Sequence, residues 1–211
     1  MTTDGLNPLT VLLFVGAVLA GSALIILYVF ARATKREPIA QITLRVLLGG
    51  LGAYVLLFLG SSLTSRSHVL APGEEKHICE IDCHLAYSVA SAKAEPLPGG
   101  QTRYTVTVKV RFDEETISPR RPKDATLQPN GRYVALVDAA GRQYPGSTDG
   151  LRRRLIPGES YTTDIIFDVP ADEQNLRLVL RNNDPETTFI IGHENSLLHG
   201  STTFALPRKA A

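Results

Sequence analysis

The sequence predicts a two-part chain: a pair of transmembrane helices (an α hairpin) followed by an all-β domain built as an antiparallel β-sandwich. Three observations predict it. Leu9 to Ala31 and Val46 to Ser65 contain no charged residue. At about 1.5 Å per residue, each run covers the roughly 30 Å hydrocarbon core of a bilayer. Beyond them the chain falls into short stretches that alternate apolar and polar residues, punctuated by glycine, proline and aspartate, the signature of half-buried strands between turns.

The first apolar run is too long for the core of a cleaved signal peptide. The preceding "MTTDGLNP" also lacks the basic residues such a peptide carries. For the second run, length and absence of charge favour a membrane span over a buried soluble helix, despite its glycines at 49, 50, 52 and 60. The intervening loop, residues 32–45, carries Arg32, Lys35, Arg36 and Arg45 against the single acid Glu37. Short basic loops remain cytoplasmic, so the expected topology is a hairpin with both ends outside and residues 66–211 extracytoplasmic. Gly16 with Ala20, Ala17 with Gly21, and Gly49 with Ala53 repeat small residues four apart, the spacing of close helix packing in lipid. Neither span contains the ionisable group expected of an ion or proton path.

Ser65–Glu75, "SRSHVLAPGEE", reads as the linker off the membrane, with the linker bounded at 66–76 and the sandwich at 77–211. Leu85 to Val89 is the expected opening strand. "RYTVTVKVRF" (103–112) places Tyr104, Val106, Val108, Val110 and Phe112 on one face. "RYVALVDAAGRQY" reads as strand, tight turn over 138–141 and returning strand. "LIPGESYTTDIIFDVP" supplies a Pro-Gly turn and a strand ending at Pro170. "NLRLVLRN" and "STTFAL" complete six or seven strands, enough for one core in about 130 residues.

The order "YTVTVKVRF", "YVALVDAAGRQYPG", "RRLIPGESYTTDIIFDVP" and "LRLVL" resembles the telokin-like immunoglobulin-fold domains of bacterial membrane proteins and lipoproteins. The likeness covers about residues 84–182. It implies an immunoglobulin-like sandwich, and because its motifs are strand and turn chemistry it implies no activity.

Several function classes lack their motifs. The whole chain has a net charge of +1 and the outer part is close to neutral, so nucleic-acid binding is not expected. "PRRPK" (119–123) and Arg152-Arg153-Arg154 read as solvated loops. "GSTDG" (146–150) lacks the spacing of a nucleophile elbow. In "HENSLLH" the histidines stand six apart, not the four that place two ligands on one helix face. Asp113, Glu114 and Glu115 are consecutive and read as a solvated loop. No catalytic residue, cofactor or small-molecule substrate is expected.

One segment concentrates ligand chemistry: "HICEIDCH", with His77, Cys79, Cys83 and His84. In a continuous strand the two cysteines would lie about 13 Å apart. That is too far for a disulfide or for a shared metal, so either requires Glu80-Ile81-Asp82 to turn. An outward topology favours a Cys79–Cys83 disulfide. Unpaired strand cysteines and a His77/Cys79/Cys83/His84 metal site are the alternatives. Two helices before an outer β-domain with a Cys-x3-Cys pair also resemble the plan of cytochrome oxidase subunit II. That plan requires a glutamate midway between the cysteines and a methionine ligand, whereas this chain has Ile81 there and only Met1.

The expected protein is thus a multi-pass protein of the cytoplasmic (inner) membrane with an extracytoplasmic C-terminal domain. Its expected role is non-enzymatic binding or scaffolding of an envelope protein partner. The alternative is a metal-handling or redox accessory using the His77–His84 segment.

Overall fold

The computed structural model describes residues 2–4, 8–78, 83–118, 120–129, 132–183 and 185–207. The chain forms two compact units. One comprises Met1–Gly5, Ser67–Pro185 and Ser201–Ala211; the other comprises Leu6–Arg66 and Glu186–Gly200.

The helical unit contains α1 (Pro8–Ala33) and α2 (Glu37–Thr64), both long and apolar enough to cross a membrane. The sequence reading began the second helix at 46, after a loop over 32–45. The helix instead starts at Glu37, because a charged residue such as Arg45 ends an apolar run without ending a helix. Pro38 suits the first turn, where its missing N–H has no partner to lose. Only Thr34-Lys35-Arg36 connects the helices. Lys35 takes a left-handed φ of 58°, and the Arg32 guanidinium clasps Glu37 at 2.6–2.7 Å. Arg32 at the end of α1 and Glu37 at the start of α2 also complement the two helix dipoles. The small-residue packing expectation fails. A Cβ added at Gly16, Gly21 or Gly49 would meet nothing within 4 Å, and Ala17, Gly21 and Gly50 line a cleft of about 330 Å³. Close contact is instead at the turn, where Ala31, Ala40 and Thr43 are buried.

The other unit is a β-sandwich of two five-stranded sheets. Its strands are β1 (Thr2–Asp4), β2 (His68–Leu70), β3 (Lys76–Ile78), β4 (Leu85–Leu97), β5 (Gln101–Phe112), β6 (Arg132–Val137), β7 (Gln143–Pro145), β8 (Ser160–Pro170), β9 (Arg177–Asn182) and β10 (Thr202–Ala205). One sheet runs β1-β3-β4-β5-β8 and the other β2-β10-β9-β6-β7. The linker expected over 66–76 therefore contains β2 and the first residue of β3. Most neighbours are antiparallel, but β1 pairs parallel to β3 and β2 parallel to β10, so the sheets are mixed. Residues before α1 and residues after α2 thus both pair into the sandwich.

Alternation produces the core. Val106, Val108, Val110 and Phe112 of β5 face Leu136, Leu178, Leu180 and Phe204 of the opposite sheet's inner side. Leu85, Tyr87 and Val89 lie on the same inner face. A bulge between Val89 and Ser91 then shifts the inward set to Ala92 and its neighbours, which is why the period-2 signal of this strand breaks at Val89. Two glycines are dictated by crowding. A Cβ at Gly146 would sit 2.5 Å from Phe167, and one at Gly150 would sit 2.0 Å from Thr163 Oγ1.

Candidate functional site

β3 places three consecutive buried residues at one end of the sandwich. Successive strand residues point to opposite faces, so Lys76 and His77 enter different environments. Lys76 enters the interior, where its ammonium donates to the carbonyls of Leu180 at 2.9 Å and Thr202 at 3.3 Å. Nearby, Arg132 donates Nε–H to Tyr87 Oη at 3.0 Å and an Nη1 proton to Asn182 Oδ1 at 2.7 Å. Its guanidinium also lies 5.4 Å from the Tyr87 ring centroid. These contacts join one sheet to the other, with the hydrogen bonds that buried cations require.

His77 points to the other face. Register sets His77 beside Ala86, and Ala86 beside Arg111, and the small Ala86 leaves room for the long side chains to meet above it. His77 Nε2 lies 2.9 Å from Asp113 Oδ2, with both residues only 2% exposed. Asp113 Oδ1 also accepts from Arg111 Nη1 at 3.2 Å and from the Glu115 amide at 3.1 Å. Arg111 completes the chain of contacts with a two-pronged grip on Glu75, at 2.9 and 2.6 Å. Burial alone would raise the Asp113 carboxyl pKa, but the bonds from His77, Arg111 and the Glu115 amide outweigh it and hold it below the ordinary value. The hydrogen bond from Arg111 likewise lowers Glu75.

The expectation that 113–115 is a solvated loop is corrected at its first residue. Glu114 and Glu115 are exposed, but Asp113 is buried as the N-cap of a short 3-10 turn. Its backbone also receives the strand's last bonds: its amide donates to the His84 carbonyl at 2.7 Å.

The four sequence candidates are placed as follows. His77 is committed to Asp113. His84 Nδ1 lies 2.6 Å from Thr116 Oγ1, and that hydroxyl donates its proton to the Asp113 carbonyl at 2.9 Å, so it accepts from His84. Cys83 is disulfide-bonded. Cys79 lies outside the described residues, as do Glu80, Ile81 and Asp82. Among the described residues, no group of three or more His, Cys, Asp or Glu side chains could hold a metal ion.

Chemically, the arrangement joins His77 Nε2, Asp113, Arg111 and Glu75 in one chain of contacts, while His77 Nδ1 is buried without a hydrogen-bond partner. The His77–Asp113 pair has the look of a base and its orienting acid, but it is buried, and the Thr116 hydroxyl on the same turn gives its proton to a backbone carbonyl. Sequence reasoning singled out His77 and missed Asp113, Arg111 and Glu75. Alternation could have put Arg111 on the outer face beside Ala86, but nothing in the sequence links Asp113 to a histidine 36 residues earlier. An open groove of about 510 Å³ also lies on the sandwich, with Val69, Tyr104, Leu176 and Leu206 along it and the cations Lys93 and Arg177 at its edge.

No family model matches the chain, and no curated protein matches it. Among solved structures it is similar to an uncharacterised β-sandwich protein from Clostridium difficile, at 10% identity over 68% of this chain and 96% of that one, with a TM-score of 0.40. It is also similar to a secreted protein from Mycobacterium tuberculosis, at 14% identity over 65% of this chain and 98% of that one, TM-score 0.41. A conserved hypothetical protein from Bacillus anthracis aligns at 12% identity over 53% and 93% of the respective chains, TM-score 0.33.

Proposed function

We propose that this protein is a membrane-anchored module that holds its sandwich outside the cytoplasmic membrane and recognises another envelope protein there, without catalysis. The observation that carries the reading is the pairing of Thr2–Asp4 with β3. A single sandwich takes up the chain on both flanks of the helical hairpin, which requires both outer helix ends to face the same side of the bilayer. The three-residue turn with Lys35 and Arg36 then faces the cytoplasm.

Strand order supports the immunoglobulin-like, telokin-like reading. β4-β5-β8 in one sheet and β10-β9-β6-β7 in the other follow the A-B-E and G-F-C-C′ order of that architecture. The non-enzymatic reading is supported by the polar chemistry of the β3 end, which is spent on holding strands together. We assign Cys83's partner as Cys79; this accounts for a chain with two cysteines and none free among the described residues.

The groove lined by Tyr104, Leu176 and Arg177 is the proposed contact surface, because apolar side chains and the cations Lys93 and Arg177 line it together. Recognition is tested with a photo-cross-linking residue at Tyr104 in native membranes, against a control at Ile166 on the outward face of β8. A discrete protein adduct from Tyr104 alone is expected. No adduct from Tyr104, or equal adducts from both positions, would overturn the assignment of the groove.

A further inference from the structure

The segment 186–200 belongs to the helical unit, although it lies between β9 and β10 in the chain. It is a ribbon of consecutive turns: amides of Ile190, His193, Ser196 and His199 donate to the carbonyls of Thr187, Ile190, His193 and Ser196, at 2.9–3.2 Å. Every third residue is thereby turned inward, and Thr187, Ile190, His193 and Ser196 are buried. Side chains satisfy more of the backbone: His193 Nδ1 accepts from the Asn195 amide at 3.0 Å, and Ser196 donates to the Ile190 carbonyl.

Two hydrogen bonds fix the ribbon along α2. Tyr54 Oη donates to the Phe189 carbonyl at 2.6 Å, and the Gly200 amide donates to Ser65 Oγ at 2.6 Å. Between them, a Cβ at Gly192 would sit 3.4 Å from Ser61 Oγ. Tyr54 to Ser65 is about 16 Å of helix, so the ribbon runs beside the outer end of the apolar helix. Tyr54 shares a cleft with Phe14, five residues into α1 from Leu9, or about 8 Å. Tyr54 itself lies ten residues, or about 15 Å, inside the end of α2 at Thr64, so Phe189 is held below that end.

Among the described residues of the ribbon, the most exposed side chains are apolar, with Glu194, Asn195 and His199 half-buried. Phe189 is 63% exposed, Leu197 60% and Leu198 63%. Leu198 has a left-handed φ of 66°, a position where an aqueous turn would carry glycine or asparagine.

We propose that this ribbon is a second membrane contact, with Leu197 and Leu198 seated at the outer headgroup–acyl boundary and Phe189 deeper among the outer-leaflet acyl chains. The inference rests on the reading of α1 and α2 as membrane spans. Irregular backbone is tolerated at that depth when its polar groups are bonded within the protein, and the ribbon bonds the amides of Ile190, His193, Asn195, Ser196 and His199 within itself and that of Gly200 to Ser65. Apolar side chains buried some 5–10 Å into the boundary are how interfacial segments hold to a bilayer. Such a contact would fix the stretch between β9 and β10 at the membrane surface.

The chain contains no tryptophan, so single tryptophans report position without background. The full-length protein would be reconstituted in phosphatidylethanolamine–phosphatidylglycerol vesicles doped with brominated phosphatidylcholine. Phe189→Trp and Leu197→Trp probe the ribbon independently, Leu19→Trp the middle of α1, and Ile166→Trp the outer face of the sandwich. Expected is a blue-shifted, iodide-protected emission from both ribbon tryptophans, with Leu197→Trp quenched most strongly by bromines near the headgroup and Phe189→Trp by bromines farther down the acyl chain, while Ile166→Trp is quenched by iodide alone. If Leu19→Trp is quenched by bromine but the ribbon tryptophans respond to iodide, the inference fails and the membrane spans stand. Ribbon tryptophans shielded from both quenchers would also overturn it, since protein rather than lipid would cover them. A Leu19→Trp insensitive to bromine would remove the membrane reading itself and the inference with it.

Discussion

Replacing Asp113 by alanine deletes the acceptor shared by His77, Arg111 and the Glu115 amide. The largest loss is at His77, whose buried Nε2–H would have no partner, at a cost of about 1–3 kcal/mol. Arg111 keeps both bonds to Glu75 and is partly exposed, so its loss is small, and the Glu115 amide adds about 1 kcal/mol. A total near 3 kcal/mol corresponds to a Tm lower by roughly 10 °C for a domain of this size. The assay is thermal unfolding of the detergent-solubilised chain, followed through the β-sheet circular-dichroism band and repeated across pH. The sign follows from the lowered carboxyl pKa. Asp113's contribution is complete above the ordinary carboxylate value of 3.8 and disappears as pH falls through the lower folded value. The gap between wild type and Asp113→Ala should therefore be constant near neutrality and close in strong acid. A Tm change under about 2 °C, or a gap that widens on acidification, would refute the claim that this pair ties β3 to β5.

Three further outcomes follow from the packing. Val108→Asp puts an unpaired charge at a 1% exposed core position; it should cost several kcal/mol and abolish the folded β spectrum, and an unchanged spectrum would mean the strand's faces are misassigned. Gly146→Ala forces a methyl against Phe167 and Ile165 and should cost about 1–3 kcal/mol by thermal unfolding, whereas Gly49→Ala, with open space around it, should be silent. Arg103→Ala removes a two-pronged pair with Asp168 in which both side chains are about 40% exposed; by the same scan it should leave the Tm nearly unchanged.

The legible parts of this chain were those where one local pattern decides the outcome. Uncharged length gave both helices, and strict alternation gave β5 with its inward face residue by residue. The Asp138 turn and the stop at Pro170 followed from turn chemistry. What escaped depends on contacts between distant segments. β1, β2 and β3 are three residues each, too short for any periodicity, and form because a neighbour's edge offers them hydrogen bonds. The ribbon at 186–200 shows neither period 2 nor 3.6, since its three-residue repeat has no amphipathic signature. "HICEIDCH" drew attention through its ligand types, but the partner that His77 takes is an aspartate brought alongside by the β3-β4-β5 register. A row of consecutive acids hides which one the fold buries.

The central claim, a membrane hairpin with both ends and the sandwich outside, is tested most directly by labelling single introduced cysteines in intact spheroplasts with a membrane-impermeant maleimide. The parent chain corrects for Cys79 and Cys83. Glu95→Cys, on the exposed part of β4, should label before permeabilisation, and Lys35→Cys, in the turn between the helices, only after it. Labelling of Lys35→Cys in intact spheroplasts, or protection of Glu95→Cys until the membrane is opened, would contradict it.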